Sequence, residues 1–384
     1  MITNGIKFQN FRNKKKSLKI KNYLKLLLQK NDSVLQSLKD DYKNNFNQKK
    51  INNFKKIKNF RLIGMGGSSL GAKAIYSFFK KKIKKNFSFI DDLDVSTKNN
   101  KNKNTLNLII SKSGETIETI TNFNILNNKF DKNIFITENN QNYLSQLAHR
   151  LRAEVVHHNN FIGGRYSVLS ETGMLPAELM GLNSKKFRQL NNLIKNKRYL
   201  DSLISNVNSI LFFMKRKKFN SIILNYDKNS EELFYWYQQL VAESLGKNKK
   251  GILPIISNMP KDNHSVMQLY LDGFNNNFFT LFNVNEPNSF KLINKDILDS
   301  KKYLRNKKVT EIIYAQKKAT ENIFTKKNIP FRSFEILKRD EKTLGELFCF
   351  FILETILLAR MMKINPYNQP AVESIKKETK HILS

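Results

Sequence analysis

The sequence predicts an α/β protein with two doubly wound, mostly parallel sheets flanked by helices, a helical N-terminal arm and a C-terminal helix. Three observations carry that expectation. Short apolar runs end in turn residues and lead into segments whose apolar residues recur at helical spacing. The alternation starts again after a lysine-rich stretch at 185–198, so the two halves resemble each other in architecture. At 384 residues the chain has room for two or three domains with sizeable cores.

Taken in order, residues 1–55 are rich in Lys and Asn, with Leu24, Leu27, Leu35 and Leu38 at helix-like spacing, and read as a helical arm. A first domain is expected over 56–190. Its strand Phe60–Ile63 breaks at Gly64-Met65-Gly66-Gly67-Ser68-Ser69, and Ala72, Ala74, Ile75, Phe78 and Phe79 follow with helical spacing. Strand Leu106–Ile110 leads into Ser111-Lys112-Ser113-Gly114-Glu115-Thr116 and a helix over Ile117–Leu126. Strand Asn133–Thr137 precedes a helical segment with Leu144, Leu147 and Leu151. Strands alternating with helices imply a parallel sheet covered on both faces. A second domain, 191–366, repeats the scheme. It has strand Ser221–Tyr226, helix Glu231–Leu245, an extended stretch Gly251–Ile256, helix His264–Leu271, strand Phe278–Val284 and an apolar helix Thr343–Met362. After a break at Pro366, residues 367–384 are expected to form a last helix.

Composition excludes several classes. The single cysteine, Cys349, rules out an internal disulfide framework and fits a reducing cytoplasm. The five histidines show no metal-ligand spacing, so no metal or other cofactor is expected; the adjacent His157 and His158 read as structural. Met1–Lys16 turns basic without an apolar core of signal-peptide length. Glu346, Glu354 and Arg360 interrupt the most apolar segment, which argues for a packed helix and against a membrane span. The formal net charge of +35 invites a nucleic-acid reading. The lysines, however, are spread over the whole chain alongside many Asn, Ile and Phe, residues that adenine- and thymine-rich codons specify, and no nucleic-acid motif accompanies them. The charge is therefore read as compositional, and no nucleic-acid partner is expected. A positive field would still favour a dianionic substrate.

Two loops carry the chemistry of the first domain. Ser111, Ser113 and Thr116, with Lys112, sit at the carboxyl edge of a strand and open a helix, where hydroxyls, backbone N–H groups and the helix dipole suit a phosphate. The loop lacks the Gly-Lys-Ser/Thr ending of a nucleotide P-loop, which points to a phosphorylated small molecule. Gly67 and Ser68 on the neighbouring Gly-rich loop would line the sugar side of the same pocket. Farther on, Gly163-Gly164-Arg165-Tyr166-Ser167 places an arginine directly after two glycines, so that its donor fork can meet a phosphate or a developing oxyanion at close backbone approach.

Gly66–Gly71 and Ser111–Thr116 resemble the sugar-isomerase (SIS) domain, which implies two SIS-type sheets and sugar-phosphate binding. Gly163–Ser167, Glu243-Ser244-Leu245-Gly246-Lys247 and Tyr367–Lys376 narrow the resemblance to the glucose-6-phosphate isomerases in their shorter bacterial form, over about residues 60–376. That resemblance implies a homodimeric cytoplasmic enzyme of glycolysis and gluconeogenesis, with no cofactor and no membrane partner. It implies Glu243 as the base shuttling a proton between C2 and C1, and Arg165 as the cation on the enediolate. His264, reaching the neighbouring subunit's site, and Lys376 would serve ring opening. Gly67, Ser68, Ser111, Lys112, Ser113, Thr116, Gly164 and Gln369 would bind the substrate and its phosphate. Ala371 departs from the family's usual glycine. Use of mannose 6-phosphate, or a catalytically silent sugar-phosphate sensor, stays open at this point.

Overall fold

Two five-stranded sheets organise the chain among the described residues. The structure, a computed structural model, describes residues 1–12, 17–30, 32–95 and 104–384. The end of the basic N-terminal stretch, 13–16, lies outside them. Strand β1 (Ile6–Gln9) precedes α1 (Leu18–Gln29), α2 (Ser33–Ser37) and α3 (Gln48–Phe54). The first sheet takes β2 (Asn59–Gly64), β3 (Asn86–Ile90), β4 (Thr105–Ile110), β5 (Lys132–Glu138) and β6 (Glu154–His158). Helices α4 (Leu70–Phe78), α5 (Ile117–Leu126) and α6 (Tyr143–Arg150) lie in its crossovers. Then come α7 (Glu171–Leu179), α8 (Ser184–Phe187), α9 (Leu190–Leu193) and α10 (Lys197–Lys215). The second sheet takes β7 (Asn220–Asn225), β8 (Leu253–Asn258), β9 (Asn277–Val284) and β10 (Phe331–Ile336). With it run α11 (Glu231–Leu245), α12 (Met267–Asp272) and α13 (Val309–Lys326), before α14 (Glu341–Met361) and α15 (Pro370–Leu383).

The first sheet runs β3-β2-β4-β5-β6 and is parallel throughout. The second runs β1-β10-β9-β7-β8, parallel except for β1. In each, the first parallel strand lies between the second and the third, which creates a crevice at the carboxyl edge where the order reverses. In the first sheet that crevice falls between β2 and β4, so the loops expected to bind ligand leave adjacent strands. Central β4 and β9 are buried along their whole length, and their near-continuous apolar runs reflect cover on both faces.

The N-terminal arm is not wholly helical. Ile6–Gln9 pairs antiparallel with β10, from Ile6↔Ile336 to Gln9↔Ser333, and closes the edge of the second sheet. Ile6 and Phe11 are fully buried, and the Phe8 ring lies 4.5 Å from that of Phe334. Strands β3, β6 and β10 also join the sheets without having been expected. Helices α5 and α11 have the expected bounds. The helix expected from His264 starts at Met267, because 261–264 form a 3-10 turn.

Helix α14 is buried from Thr343 to Ala359. Its charges are paired: Glu346 accepts from the Thr3 hydroxyl at 2.6 Å, and Glu354 meets Arg332 and accepts from Tyr237 at 2.9 Å. No helix among the described residues is long and apolar enough to cross a membrane. His157 is exposed and His158 buried, as neighbours on a strand should be.

Candidate active site

The Gly-rich loop after β2 and the Gly-Gly-Arg loop after β6 meet backbone to backbone. A methyl group on Gly67 would stand 2.2 Å from the carbonyl carbon of Gly164 and 2.6 Å from the nitrogen of Arg165. Only a residue without a side chain permits that approach. Ser167 fastens the contact by donating to Gly164 O at 2.7 Å and Gly67 O at 3.4 Å.

From this junction the Arg165 side chain runs inward and is only 1% exposed. A guanidinium has five N–H donors, and here each has a partner. Nε donates to Ser244 Oγ at 2.9 Å. One terminal nitrogen donates to Glu243 Oε2 at 2.9 Å and Gln369 Oε1 at 2.6 Å. The other donates to the carbonyls of Pro366 at 2.6 Å and Asn368 at 3.2 Å. Arg165 thus binds α11 to the linker that follows α14.

Glu243 sits in the last turn of α11 with its side chain 29% exposed, so it is gripped but reachable. Its second oxygen accepts from Gln239 Nε2 at 2.8 Å, one helical turn earlier. Beneath it, the Tyr166 hydroxyl lies 2.8 Å from Ser244 Oγ and 3.3 Å from Pro366 O. Burial pushes the Tyr166 phenol up to about 12, so it stays a neutral hydrogen-bonding post.

Beside this cluster, the loop after β4 gathers hydroxyls. Ser111 Oγ lies 2.7 Å from Thr116 Oγ1 and 3.5 Å from Ser113 Oγ, while the N–H groups of Gly114 and Glu115 point back at Ser111 and Ser113. Thr116 is the N-cap residue of α5, yet its side chain caps nothing. Gly114 has φ of +69°, and a methyl there would collide with Asn142. Lys112 turns away to Glu138, 3.2 Å off. A methyl on Gly64 would lie 3.0 Å from Ser68 Cβ in the same loop and 2.8 Å from Ile110 O at the end of β4.

The structure therefore brings Gly67, Gly164, Arg165, Glu243 and Gln369 together and sets Ser68, Ser111, Ser113 and Thr116 alongside. It does not bring in His264 or Lys376. His264 is exposed on the 3-10 turn after β8 and has no hydrogen bond to the cluster among the described residues. Lys376, 59% exposed on α15, pairs only with Glu373 at 2.7 Å among the described residues. The linker returns to the cluster through Gln369, but α15 has no buried residue.

The family model described as phosphoglucose isomerase matches residues 9–257. A glucose-6-phosphate isomerase of Methanocaldococcus jannaschii is 31% identical over 343 residues, 83% of this chain and 82% of the relative. The chain belongs to the phosphoglucose isomerase family. Another relative, a glucose-6-phosphate isomerase of Mycoplasmopsis pulmonis, is 33% identical over 84% of this chain and 82% of its own length. Among solved structures, a hypothetical protein from Thermus thermophilus superposes with a TM-score of 0.80 at 21% identity, covering 95% of this chain and 94% of that one. That likeness shows the fold alone.

In this phosphoglucose isomerase family member, Gln239, Ser244 and Tyr166 are the site residues the sequence reading passed over. Gln239 carried a usable signal, since it precedes Glu243 by one turn on a helix whose bounds were legible. For Ser244 and Tyr166 the signal was thinner. Both lie in quoted motifs, but the partnership between them spans 78 positions and shows only in the folded chain.

Proposed function

We propose that the chain is an aldose–ketose isomerase that interconverts D-glucose 6-phosphate and D-fructose 6-phosphate. The observation that carries this reading is the carboxylate of Glu243, fixed at one oxygen by Arg165 and at the other by Gln239 while partly open. In the open-chain aldose, Glu243 takes the proton from C2. The C–H electron pair becomes the C1–C2 double bond, and the carbonyl electrons move onto O1. Moving the hydroxyl proton from O2 to O1 and returning the first proton to C1, while O2 becomes the carbonyl, completes the ketose. The phosphate is assigned to the Ser111, Ser113 and Thr116 hydroxyls, with Gly67, Ser68, Lys112, Gly164 and Gln369 completing the substrate cradle.

Arg165 is assigned to the enediolate, where a preorganised cation offsets developing negative charge. With all its donors engaged, it can serve O1 or O2 only by releasing Gln369 or sharing the N–H held by Glu243. Ring opening is assigned to His264 and Lys376. His264 is assigned to the neighbouring subunit's site, and its exposure away from the cluster supports a homodimer in which that site is completed on assembly; the enzyme is assigned to the cytoplasm. The transfer as written uses no cofactor.

A coupled assay with glucose 6-phosphate tests the reading. Glu243→Gln should keep substrate affinity and lose turnover by roughly 10²–10⁴-fold, the usual contribution of a positioned base. Purified wild-type protein that binds both sugars yet forms no fructose 6-phosphate would refute the assignment.

A further inference from the structure

The linker between α14 and α15 is held through its carbonyls by cations from two elements. Arg165 takes Pro366 O and Asn368 O. Lys247 Nζ donates to Asn365 O at 2.7 Å and Lys250 Nζ to Met362 O at 3.2 Å. Both lysines belong to a tight turn directly after α11. Asn248 and Lys249 take left-handed φ values of 53° and 57°, and Lys247 and Lys250 exchange backbone hydrogen bonds of 3.1 and 2.9 Å. Lys247 Nζ also donates to Ser244 O at 3.1 Å, the residue after Glu243.

We infer that Lys247 is a positioning residue for the isomerisation, its ammonium fixing the linker that bears Gln369 against the helix that bears Glu243. The inference rests on the isomerase reading above. Lys247 acts through Arg165, Gln369 and Glu243, because its own hydrogen bonds go to carbonyls. Those bonds are charge-assisted, and deprotonation would leave weaker amine donors in the same place.

The clamp has a pH limit. Burial lowers the Lys247 ammonium from 10.5 to about 8, with Arg165 of the Gly-Gly-Arg loop adding to the effect and Glu243 of α11 opposing it; the linker presents the Asn365 carbonyl. The folded state holds this proton less tightly than the unfolded chain. This group's contribution to stability therefore rises with pH between about 8 and 10.5. Activity lost there through Lys247 is a loosening of the site, with no contribution from unfolding.

The test is the pH profile of kcat/KM for glucose 6-phosphate in wild type, Lys247→Arg and Lys247→Met, with melting temperatures recorded alongside. Wild type should decline above about pH 8. Lys247→Arg, charged throughout, should retain activity and lose that limb. Lys247→Met should run on the order of tenfold lower at neutral pH and show no limb near 8, the size expected for losing a charged hydrogen bond. An unchanged limb in Lys247→Arg, or wild-type kcat/KM in Lys247→Met, would overturn the inference while leaving the isomerase reading intact. A wild type with no isomerase activity would overturn both.

Discussion

At the scale of single residues, Arg165 shows how burial redefines a role. From its resemblance to the family it reads as a cation waiting for the enediolate. In the structure it is also the knot between α11 and the linker, since Ser244, Glu243, Gln369, Pro366 and Asn368 all accept from it. An ammonium has three donors and no planar fork, so Arg165→Lys must abandon some of these partners. We expect kcat to fall by about 100-fold, in line with about 3 kcal/mol for one preorganised donor. KM should also rise, because Gln369 loses its anchor. Steady-state kinetics decides the point: a normal KM would return Arg165 to the oxyanion alone. A Gly-Gly pair alone is mainly a turn marker, so the motif was legible through its resemblance to the family together with the other matched segments. That Arg165 would be saturated was not, because its partners lie 78 to 204 positions away in sequence.

At the scale of elements, the site depends on loops packed at backbone distance. Gly67→Ala would drive a methyl into the Gly164 carbonyl at 2.2 Å, against backbone that cannot swing aside as a flexible side chain could. We expect the Gly-Gly-Arg loop to shift and isomerase activity to fall by at least about 100-fold, because an ångström of misplacement is enough for that loss. A crystal structure of the variant or its activity would show it; near-normal turnover would mean that the loops are not rigidly coupled. Elements with strong periodicity were readable. Helix α11 repeats Leu233, Trp236, Tyr237, Leu240 and Val241 on one side, and its expected bounds match the structure. Strand β10 was not, because Phe331-Arg332-Ser333-Phe334-Glu335-Ile336 carries buried charge at Arg332. Its partner Glu354 lies on another element, and nothing local reveals that the charge is neutralised. Edge strand β3 reads Phe-Ser-Phe at its centre, too short a pattern to separate from a loop.

At the scale of the whole molecule, the two sheets share a strand order but do not divide the chain cleanly. The second sheet borrows its edge from the first nine residues, while Thr3 reaches the buried Glu346. Removing residues 1–9 should uncover the β10 ladder and the apolar surface covered by Ile2 and Ile6, side chains that contribute roughly 1.5–3 kcal/mol each when fully buried. The shortened protein should melt several degrees lower and self-associate through the bare edge. Melting curves and light scattering measure both effects, and an unchanged melting temperature would show that the arm is dispensable. The arm's helices were expected from leucine spacing, but a four-residue strand with a partner near the other end of the chain leaves no local signature. The order of synthesis gives this pairing a further meaning. Thr3 and Glu346 are 343 positions apart, so the N-terminal strand leaves the ribosome long before the strand it must join exists. The second sheet can close only after nearly the whole chain has emerged, and a product truncated before β10 would carry an unmatched apolar arm prone to aggregate.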